Sequence, residues 1–275
     1  MRKVGIIALD LDGTLLNSRK ELTPGCRAAL DRAAAAGIEI VPTTGRFFGG
    51  MPEVIRNLPY LHYAITINGA QVYDIRRDDV IYRAELPCAQ AVDIMRALDE
   101  LPVIYDCYQD NWGWMTRDMW ERCGDYVPNE HYYKMVRELR MPVDDLKQLL
   151  LERGRGVQKI QFFTHDMPLR ARLLREMEGQ YENIAVSTSV ENNVEINNAH
   201  ANKGEALLKL AEYLGIGQSE TAAFGDGLND LSMIVAAGAG IAMENAHPDV
   251  KAKANFLTAS CDADGVAVGI DRYCL

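Results

Sequence analysis

The chain has 275 residues, of which 48% are hydrophobic, 25% charged and 8% aromatic, a composition that excludes collagen, coiled coils and disordered proteins. Its 29 Lys and Arg against 39 Asp and Glu give a net charge of −10. Surfaces for nucleic acid or anionic membranes carry excess cations, so this charge argues against both kinds of partner. The length fits one large domain or two modest ones, and it can bury enough surface to fold without disulfides or a structural metal.

The cysteines and the apolar runs indicate the compartment. The six cysteines are Cys26, Cys88, Cys107, Cys123, Cys261 and Cys274. None lies within four residues of another, which excludes C-x-x-C metal and redox motifs and is typical of reduced, buried thiols. The apolar run 4–9 is too short for the hydrophobic segment of a signal peptide, and the longest uncharged run, 233–243, covers about half a membrane span. We predict a cytoplasmic protein.

The first 83 residues alternate short apolar runs with helical patterns. Strands are predicted over 4–9, 38–43 and 64–67, and helices over 24–36 and in a stretch toward Leu58. Thr23 is the expected N-cap of the first helix, with Pro24 in its first turn and Gly37 just beyond its end. Asn68-Gly69 predicts a hairpin turn. This alternation favours β-α-β units and a parallel sheet that is covered on both faces.

The same alternation resumes after residue 193, whereas the residues between are richer in aromatic and charged side chains. The later part has predicted strands over 194–197, 221–224 and 239–242, and helices over 203–214 and 230–237. The middle part has predicted strands over 103–107, 112–116, 159–164 and 184–188, and helices near 89–99, 144–152 and 167–178. We therefore predict an α/β core of residues 1–83 and 193–275, with an α+β domain of residues 84–192 inserted into it.

Polar loops follow three of the predicted core strands. Their residues are Asp10-Leu11-Asp12-Gly13-Thr14, Thr43-Thr44-Gly45-Arg46, and Gly225-Asp226-Gly227-Leu228-Asn229-Asp230. In a doubly wound sheet, ligands bind beyond the carboxyl ends of the strands. We therefore expect these loops to meet at one site, although they lie far apart in the sequence.

The charges of these loops predict a metal-dependent phosphate site. Four carboxylates would be crowded together there, those of Asp10, Asp12, Asp226 and Asp230. Their mutual repulsion is relieved by a hard divalent cation, and Mg²⁺ prefers oxygen ligands together with a substrate phosphate. Lys203, at the start of a predicted helix, adds positive charge, and the Thr44 hydroxyl and the N–H groups near Gly45 add donors.

At these residues the sequence resembles the haloacid dehalogenase superfamily, in particular its phosphatases. The matching motifs are D-x-D-G-T at 10–14, T-G-R at 44–46, Lys203 in N-K-G, and G-D-x-x-N-D at 225–230. Further motifs resemble the Cof-like branch: I-N-G-A at 67–70, V-E-I at 194–196, A-M-E-N-A at 242–246 and D-G-V-A at 264–267. The resemblance implies a Rossmann-like parallel-sheet core with an inserted α+β cap domain. The stretch 197–202 lacks the proline that is often found there in the family.

The resemblance also implies the activity: a Mg²⁺-dependent phosphatase of small phosphorylated metabolites, with sugar phosphates first among them. Asp10 would be the nucleophile that forms an aspartyl-phosphate, and Asp12 would protonate the leaving alcohol and then deprotonate water. The implied metal ligands are Asp10, the main-chain carbonyl of Asp12, and Asp226. The implied phosphate-binding groups belong to Leu11 (its N–H), Thr44, Gly45, Lys203 and Asn229. Asp230 would orient Lys203 or a metal-bound water.

Two alternatives share this core: a phosphomannomutase-like phosphosugar mutase, and a phosphometabolite sensor without catalysis. A dinucleotide site is disfavoured because Asp230 stands where the third glycine of that fingerprint belongs, and no P-loop motif is present. Three tryptophans, Trp112, Trp114 and Trp120, could line a sugar-binding face or belong to the insert's own core or an oligomer interface. His200 either touches substrate or is an ordinary loop residue. No pattern indicates an oligomeric state.

Overall fold

The computed structural model describes residues 4–127 and 129–275, which form two compact units. One unit is built from the chain up to Arg83 and from Ala201–Leu275, and the other from Ala84–His200. The expected division at residue 83 coincides with the first boundary. The second boundary follows residue 200 and not residue 192, because residues 193–198 pair with strands of the second unit.

The strands and helices account for most of the described residues. The strands are β1 (Ile6–Leu9), β2 (Glu39–Pro42), β3 (Tyr63–Thr66), β4 (Gln71–Asp74), β5 (Asp79–Arg83), β6 (Ile104–Gln109), β7 (Trp112–Thr116), β8 (Arg140–Val143), β9 (Lys159–Phe163), β10 (Ile184–Ser187), β11 (Asn193–Asn198), β12 (Thr221–Gly225), β13 (Ala239–Ala242) and β14 (Phe256–Leu257). The helices are α1 (Pro24–Ala35), α2 (Glu53–Arg56), α3 (Cys88–Asp99), α4 (Arg117–Glu121), α5 (Glu130–Leu139), α6 (Leu146–Arg153), α7 (Met167–Gln180), α8 (Lys203–Leu214), α9 (Leu231–Ala236), α10 (Pro248–Lys253) and α11 (Gly265–Tyr273). None of these helices has the length and apolar character to span a bilayer.

The first unit is built on a parallel sheet of five strands in the order β14-β13-β12-β1-β2. Strand β1, which lies between β12 and β2, is wholly buried. The predicted cap of α1 is present, since Thr23 accepts a hydrogen bond from the N–H of Cys26. Gly37, just past the helix, has a φ of +82°, which glycine adopts without strain. The parallel core and the largely antiparallel second sheet confirm the predicted α/β class with an α+β insert.

The third predicted core strand departs from the β-α-β pattern. β3 begins a separate antiparallel sheet with β4 and β5, and it touches the parallel sheet through one bridge between Thr43 and Ile65. The reason is the tight turn at 67–70, which sends the chain straight back alongside β3. The Asn68-Gly69 hairpin prediction is therefore confirmed, and β3 continues the parallel sheet only through that single parallel bridge.

The second unit is a six-stranded sheet in the order β10-β11-β9-β6-β7-β8, antiparallel except between β7 and β8. Helices α3, α6 and α7 cover one face through an apolar cluster that includes Leu98, Phe162 and Leu173. Strand β11 belongs to this sheet, so its assignment to the core from the sequence was wrong. Its alternating pattern identifies a strand but contains no information on which sheet the strand joins.

The aromatic side chains of the second unit serve mainly its own packing. Trp114 donates to the carbonyl of Gln109 at 3.0 Å and packs beneath the guanidinium of Arg153. Trp120 stacks with Arg137, whose guanidinium carbon lies 3.2 Å from the ring centroid. Trp112 is half exposed. The packing interpretation therefore holds for two of the three tryptophans. His200 is exposed in the loop after β11.

Candidate active site

The loops after β1, β2 and β12 meet at one edge of the parallel sheet. The N–H of Asp10 extends the pairing of β1 with β12 by donating to Phe224 at 3.0 Å, and the N–H of Thr44 donates to Ile65 at 2.9 Å. Asp226 directly follows β12. Because parallel strands end on the same side of a sheet, the polar groups of these loops are gathered into a single site.

Lys203 is the centre of this site. It begins helix α8, whose N-cap Asn202 accepts from the N–H of Glu205, and its ammonium is completely buried. Nζ lies 2.6 Å from Oδ1 of Asp10 and 2.5 Å from Oδ1 of Asp230. Burial alone would lower the pKa of Lys203, but the two carboxylates raise it well above its usual value. Lys203 therefore stays charged.

Asp230 is engaged at both carboxylate oxygens. Oδ1 pairs with Lys203, while Oδ2 accepts from the N–H groups of Asp226 and Gly227 at 2.9 and 2.8 Å. Gly225 has no room for a side chain, since a Cβ there would lie 2.4 Å from the Cβ of Asp230. Asp230 thus fixes the loop after β12 and aims Lys203 at Asp10.

The carboxylates of Asp10, Asp226 and Asp230 form an acidic cluster whose oxygens lie within 4.8 Å of one another. With Lys203 the cluster has three potential negative charges and one positive charge. Burial, with repulsion from Asp230, raises the pKa of Asp10 to about 8, and burial also raises the pKa of Asp226. The cluster therefore needs protons or a cation. A hard divalent cation suits this all-oxygen set, and Asp10 and Asp226 could hold it more readily than Asp230, whose two carboxylate oxygens are already engaged.

Gly13 and Thr14 shape the position of Asp226. The hydroxyl of Thr14 donates to Oδ1 of Asp226 at 2.7 Å. Gly13 has a φ of +89°, and a Cβ at this position would lie 2.6 Å from Oδ2 of the same carboxylate. Both residues belong to the D-x-D-G-T motif, so the motif supplies the packing around Asp226 as well as two carboxylates.

Asp12 lies outside the acidic cluster. Its carboxylate receives three hydrogen bonds from the guanidinium of Arg46 at 3.0–3.2 Å and pairs with Lys20 at 2.9 Å. Partial burial would raise the pKa of Asp12, but Arg46 and Lys20 together lower it. The carboxylate form of Asp12 is therefore favoured. This form can accept a proton from water, whereas the role of proton donor requires that the pairing with the two cations be released.

The other predicted phosphate-binding residues differ in burial and in their hydrogen-bond partners. Thr44 is buried, and its hydroxyl accepts from the N–H of Arg46 at 3.2 Å. Leu11 is also buried, and its carbonyl accepts from Leu16 at 2.8 Å. Asn229 is exposed, and its Nδ2 donates to Oδ1 of Asn68 at 3.2 Å.

Four residues at this edge received no role from the sequence: Thr14, Lys20, Arg46 and Asn68. Three of them stand inside motifs that were singled out, D-x-D-G-T, T-G-R and I-N-G-A. Membership in these motifs is the sequence signal that could have identified the three residues as part of the site. Lys20 has no such signal, since a lysine in a polar loop is usually solvated.

The acidic cluster predicts how stability depends on pH when no metal is bound. The folded-state pKa of Asp10, about 8, lies above the unfolded value near 4. A raised pKa stabilises the fold at low pH, and that contribution is lost as pH rises through the folded pKa. In EDTA, the free energy of unfolding should fall from pH 5 to pH 9. Mg²⁺ competes with protons, so its stabilising effect should grow over the same interval. Urea unfolding with EDTA and with Mg²⁺ measures both trends, and a Mg²⁺ effect that shrinks with pH would contradict the assignment.

Comparison with known proteins gives consistent matches over nearly the whole chain. A family model described as haloacid dehalogenase-like hydrolase matches residues 7–270. Phosphatase YwpJ of Bacillus subtilis (strain 168) is 31% identical, with 95% of this chain and 97% of that protein covered. Pyridoxal phosphate phosphatase YbhA of Escherichia coli (strain K12) is 30% identical, covering 95% and 96%. A solved haloacid dehalogenase-like hydrolase from B. subtilis superposes with a TM-score of 0.78 at 29% identity, covering 99% and 100%.

Proposed function

The chain belongs to the family of haloacid dehalogenase-like hydrolases, and from that premise we propose that it is a Mg²⁺-dependent phosphatase of small phosphorylated metabolites. The observation that carries the proposal is the buried contact of Lys203 with Asp10 and Asp230, beside Asp226, at the carboxyl edge of the parallel sheet. A nucleophilic carboxylate next to a fixed cation and an oxygen-rich metal site is what transfer of a phosphoryl group needs.

In the first step, a carboxylate oxygen of Asp10 attacks phosphorus and the bond from phosphorus to the leaving oxygen breaks. Asp12 gives its proton to that oxygen, so the leaving group departs as an alcohol. The product is an aspartyl-phosphate on Asp10. For this step Asp12 must carry a proton, so the ester has to bind with Asp12 released from Arg46 and Lys20.

In the second step, water attacks phosphorus and the bond to the Asp10 oxygen breaks, which releases inorganic phosphate. Asp12, now a carboxylate, takes the proton of the attacking water. The pairing with Arg46 and Lys20 favours this ionised form. The two steps together leave Asp10 and Asp12 in their starting states.

Charge on the transferring group is balanced by this chain's own donors. Lys203 stays charged beside Asp10, and the hydroxyl of Thr44, the N–H groups of Leu11 and Gly45, and the amide of Asn229 would hold the phosphoryl oxygens. The carboxylates of Asp10 and Asp226 and the carbonyl of Asp12 would hold Mg²⁺, which would supply further positive charge beside the phosphoryl group.

Within this function, sugar phosphates are the proposed substrates, and pyridoxal phosphate is the rival, because a relative with 30% identity is named for that activity. A mutase would return the phosphoryl group to a sugar and require a bisphosphate. A sensor would bind without turnover, but it has no need for the buried pairing of Asp10 with Lys203. Cytoplasmic location remains a prediction, in line with six cysteines that form no disulfide.

The test is release of phosphate from phenyl phosphate, a set of hexose and pentose phosphates, and pyridoxal phosphate, each with Mg²⁺ and with EDTA. We expect turnover that needs Mg²⁺, with the highest kcat/KM among the sugar phosphates. Highest kcat/KM for pyridoxal phosphate would overturn the substrate assignment alone. An isomerised sugar phosphate formed only with a bisphosphate would favour the mutase, and binding without turnover would favour the sensor.

A further inference from the structure

The turn between β3 and β4 has an unusual backbone. Three successive residues, Ile67, Asn68 and Gly69, have φ values of +54°, +54° and +94°. Glycine and asparagine adopt this region routinely, but a β-branched residue such as isoleucine does so only under strain. Ile67 is also completely buried, so its surroundings hold it there. Strain of this kind concentrates where a structure must place functional groups.

The main chain of this turn contacts two of the site's elements. The N–H of Asn68 donates to the carbonyl of Thr44, and the N–H of Ile67 to that of Arg46, both at 3.0 Å. On the other side, Gly69 lies against the start of α8: a Cβ at this position would be 2.2 Å from the carbonyl oxygen of Asn202. The turn therefore braces the phosphate-binding loop after β2 against the helix that begins with Lys203.

The side chain of Asn68 adds a contact to a third element. Its Oδ1 accepts from Nδ2 of Asn229 at 3.2 Å, across 161 residues of sequence. The same oxygen lies 3.0 Å from where a Cβ of Gly45 would be, so a side chain at position 45 would have to displace the amide of Asn68. The amide of Asn68 thus sits between the loop after β2 and the loop after β12.

We propose that Asn68 is a positioning residue of the phosphoryl site, a role that rests on the proposed function. An amide nitrogen has two N–H groups. When Asn68 accepts a hydrogen bond from one N–H group of the Asn229 amide, the orientation of that amide is fixed. Its second N–H group is then presented to a phosphoryl oxygen. Donors that are aimed in advance stabilise the transition state most. The backbone alone does not require asparagine, because glycine at position 68 would satisfy a φ of +54° equally well.

The test is a double-mutant cycle between Asn68→Gly and Asn229→Ala. Asn68→Gly keeps the backbone freedom and removes only the amide. We expect kcat and kcat/KM to fall together by roughly tenfold to a hundredfold, since the lost interaction acts in the transition state. In the Asn229→Ala background, Asn68→Gly should change kcat by less than about twofold, because the amide that Asn68 positions is already absent. The inhibition constant for inorganic phosphate should stay close to the wild-type value for Asn68→Gly, because phosphate is bound in the ground state.

The matched control is Asn183→Gly, which replaces the same residue type at a φ of +56° in the second unit. It should leave kcat unchanged, and thermal unfolding should show both variants folded at the assay temperature. Wild-type kcat in Asn68→Gly, or effects that multiply in the double variant, would overturn the inference while leaving the phosphatase assignment intact. Absence of Mg²⁺-dependent turnover in the wild type, with no binding of inorganic phosphate, would instead overturn the proposed function itself.

Discussion

Asp10→Asn should abolish turnover while leaving the protein folded. An amide is a far weaker nucleophile than a carboxylate, and removal of a catalytic nucleophile costs at least about 10⁴-fold in kcat. The substitution retains the shape of the side chain and an oxygen that can accept from Lys203. It also removes one of the three negative charges of the acidic cluster, so the metal-free variant should resist urea better than the wild type at pH 9. Its unfolding free energy should fall less steeply with pH.

The measurement is kcat with Mg²⁺ for Asp10→Asn and for Asp93→Asn, a change on the exposed side of α3, which should retain wild-type activity. Acid quenching of the wild type during turnover of a phosphorus-labelled substrate should trap label on the protein, and hydroxylamine should release it, as expected for an acyl phosphate. Turnover by Asp10→Asn within tenfold of the wild type would contradict the role of Asp10.

Lys203→Met should be both inactive and unstable. The substitution leaves the carboxylates of Asp10 and Asp230 buried without their shared cation, and breaking a buried ion pair in this way costs about 3–5 kcal/mol of unfolding free energy. Uptake of a proton by Asp10 relieves part of that cost. Because the folded-state pKa of Asp10 lies above its unfolded value, the relief is present at low pH and lost as pH rises. The deficit should therefore be larger at pH 9 than at pH 5.

Helix α8 offers a control in Lys209→Met. The ammonium of Lys209 is half exposed and pairs with Glu212 at the surface, so this change should alter unfolding free energy by less than about 0.5 kcal/mol. Urea unfolding of both variants at the two pH values gives the comparison. Equal midpoints for Lys203→Met and the wild type would mean that the buried pairing contributes nothing to stability.

Local signals in the sequence were sufficient for elements that have their own start and stop residues. Helix α8 runs over the predicted residues 203–214, since Asn202 caps its beginning and Gly215, with a φ of +68°, ends it. Strand β13 likewise matches its predicted range, with Gly238 directly before it. Helices α4 and α5 and strand β8 were not predicted, although Asn129 caps the start of α5.

Pairings that depend on distant residues could not be read from the sequence. The motifs predict that the carboxylates of Asp10, Asp12, Asp226 and Asp230 crowd together near Lys203, and the structure gathers all of these groups except the Asp12 carboxylate. The motifs contained no information on the partners of Asp12, since Arg46 lies 34 residues away and Lys20 stands in an ordinary polar loop. The contact of Asn68 with Asn229 is likewise a product of tertiary packing.

The strand order of the parallel sheet has a consequence for how the protein folds during its synthesis on the ribosome. β1 lies between β2 and β12, and β12 is translated only after the whole second unit. Until then β1 has one open edge, and such edges attract other chains. By contrast, strands β6–β11 all lie within Ala84–His200. All strands of the inserted sheet are therefore synthesised before β12. The inserted sheet can therefore form before the parallel sheet is complete, and the open edge of β1 makes the incomplete parallel sheet prone to misassembly during synthesis.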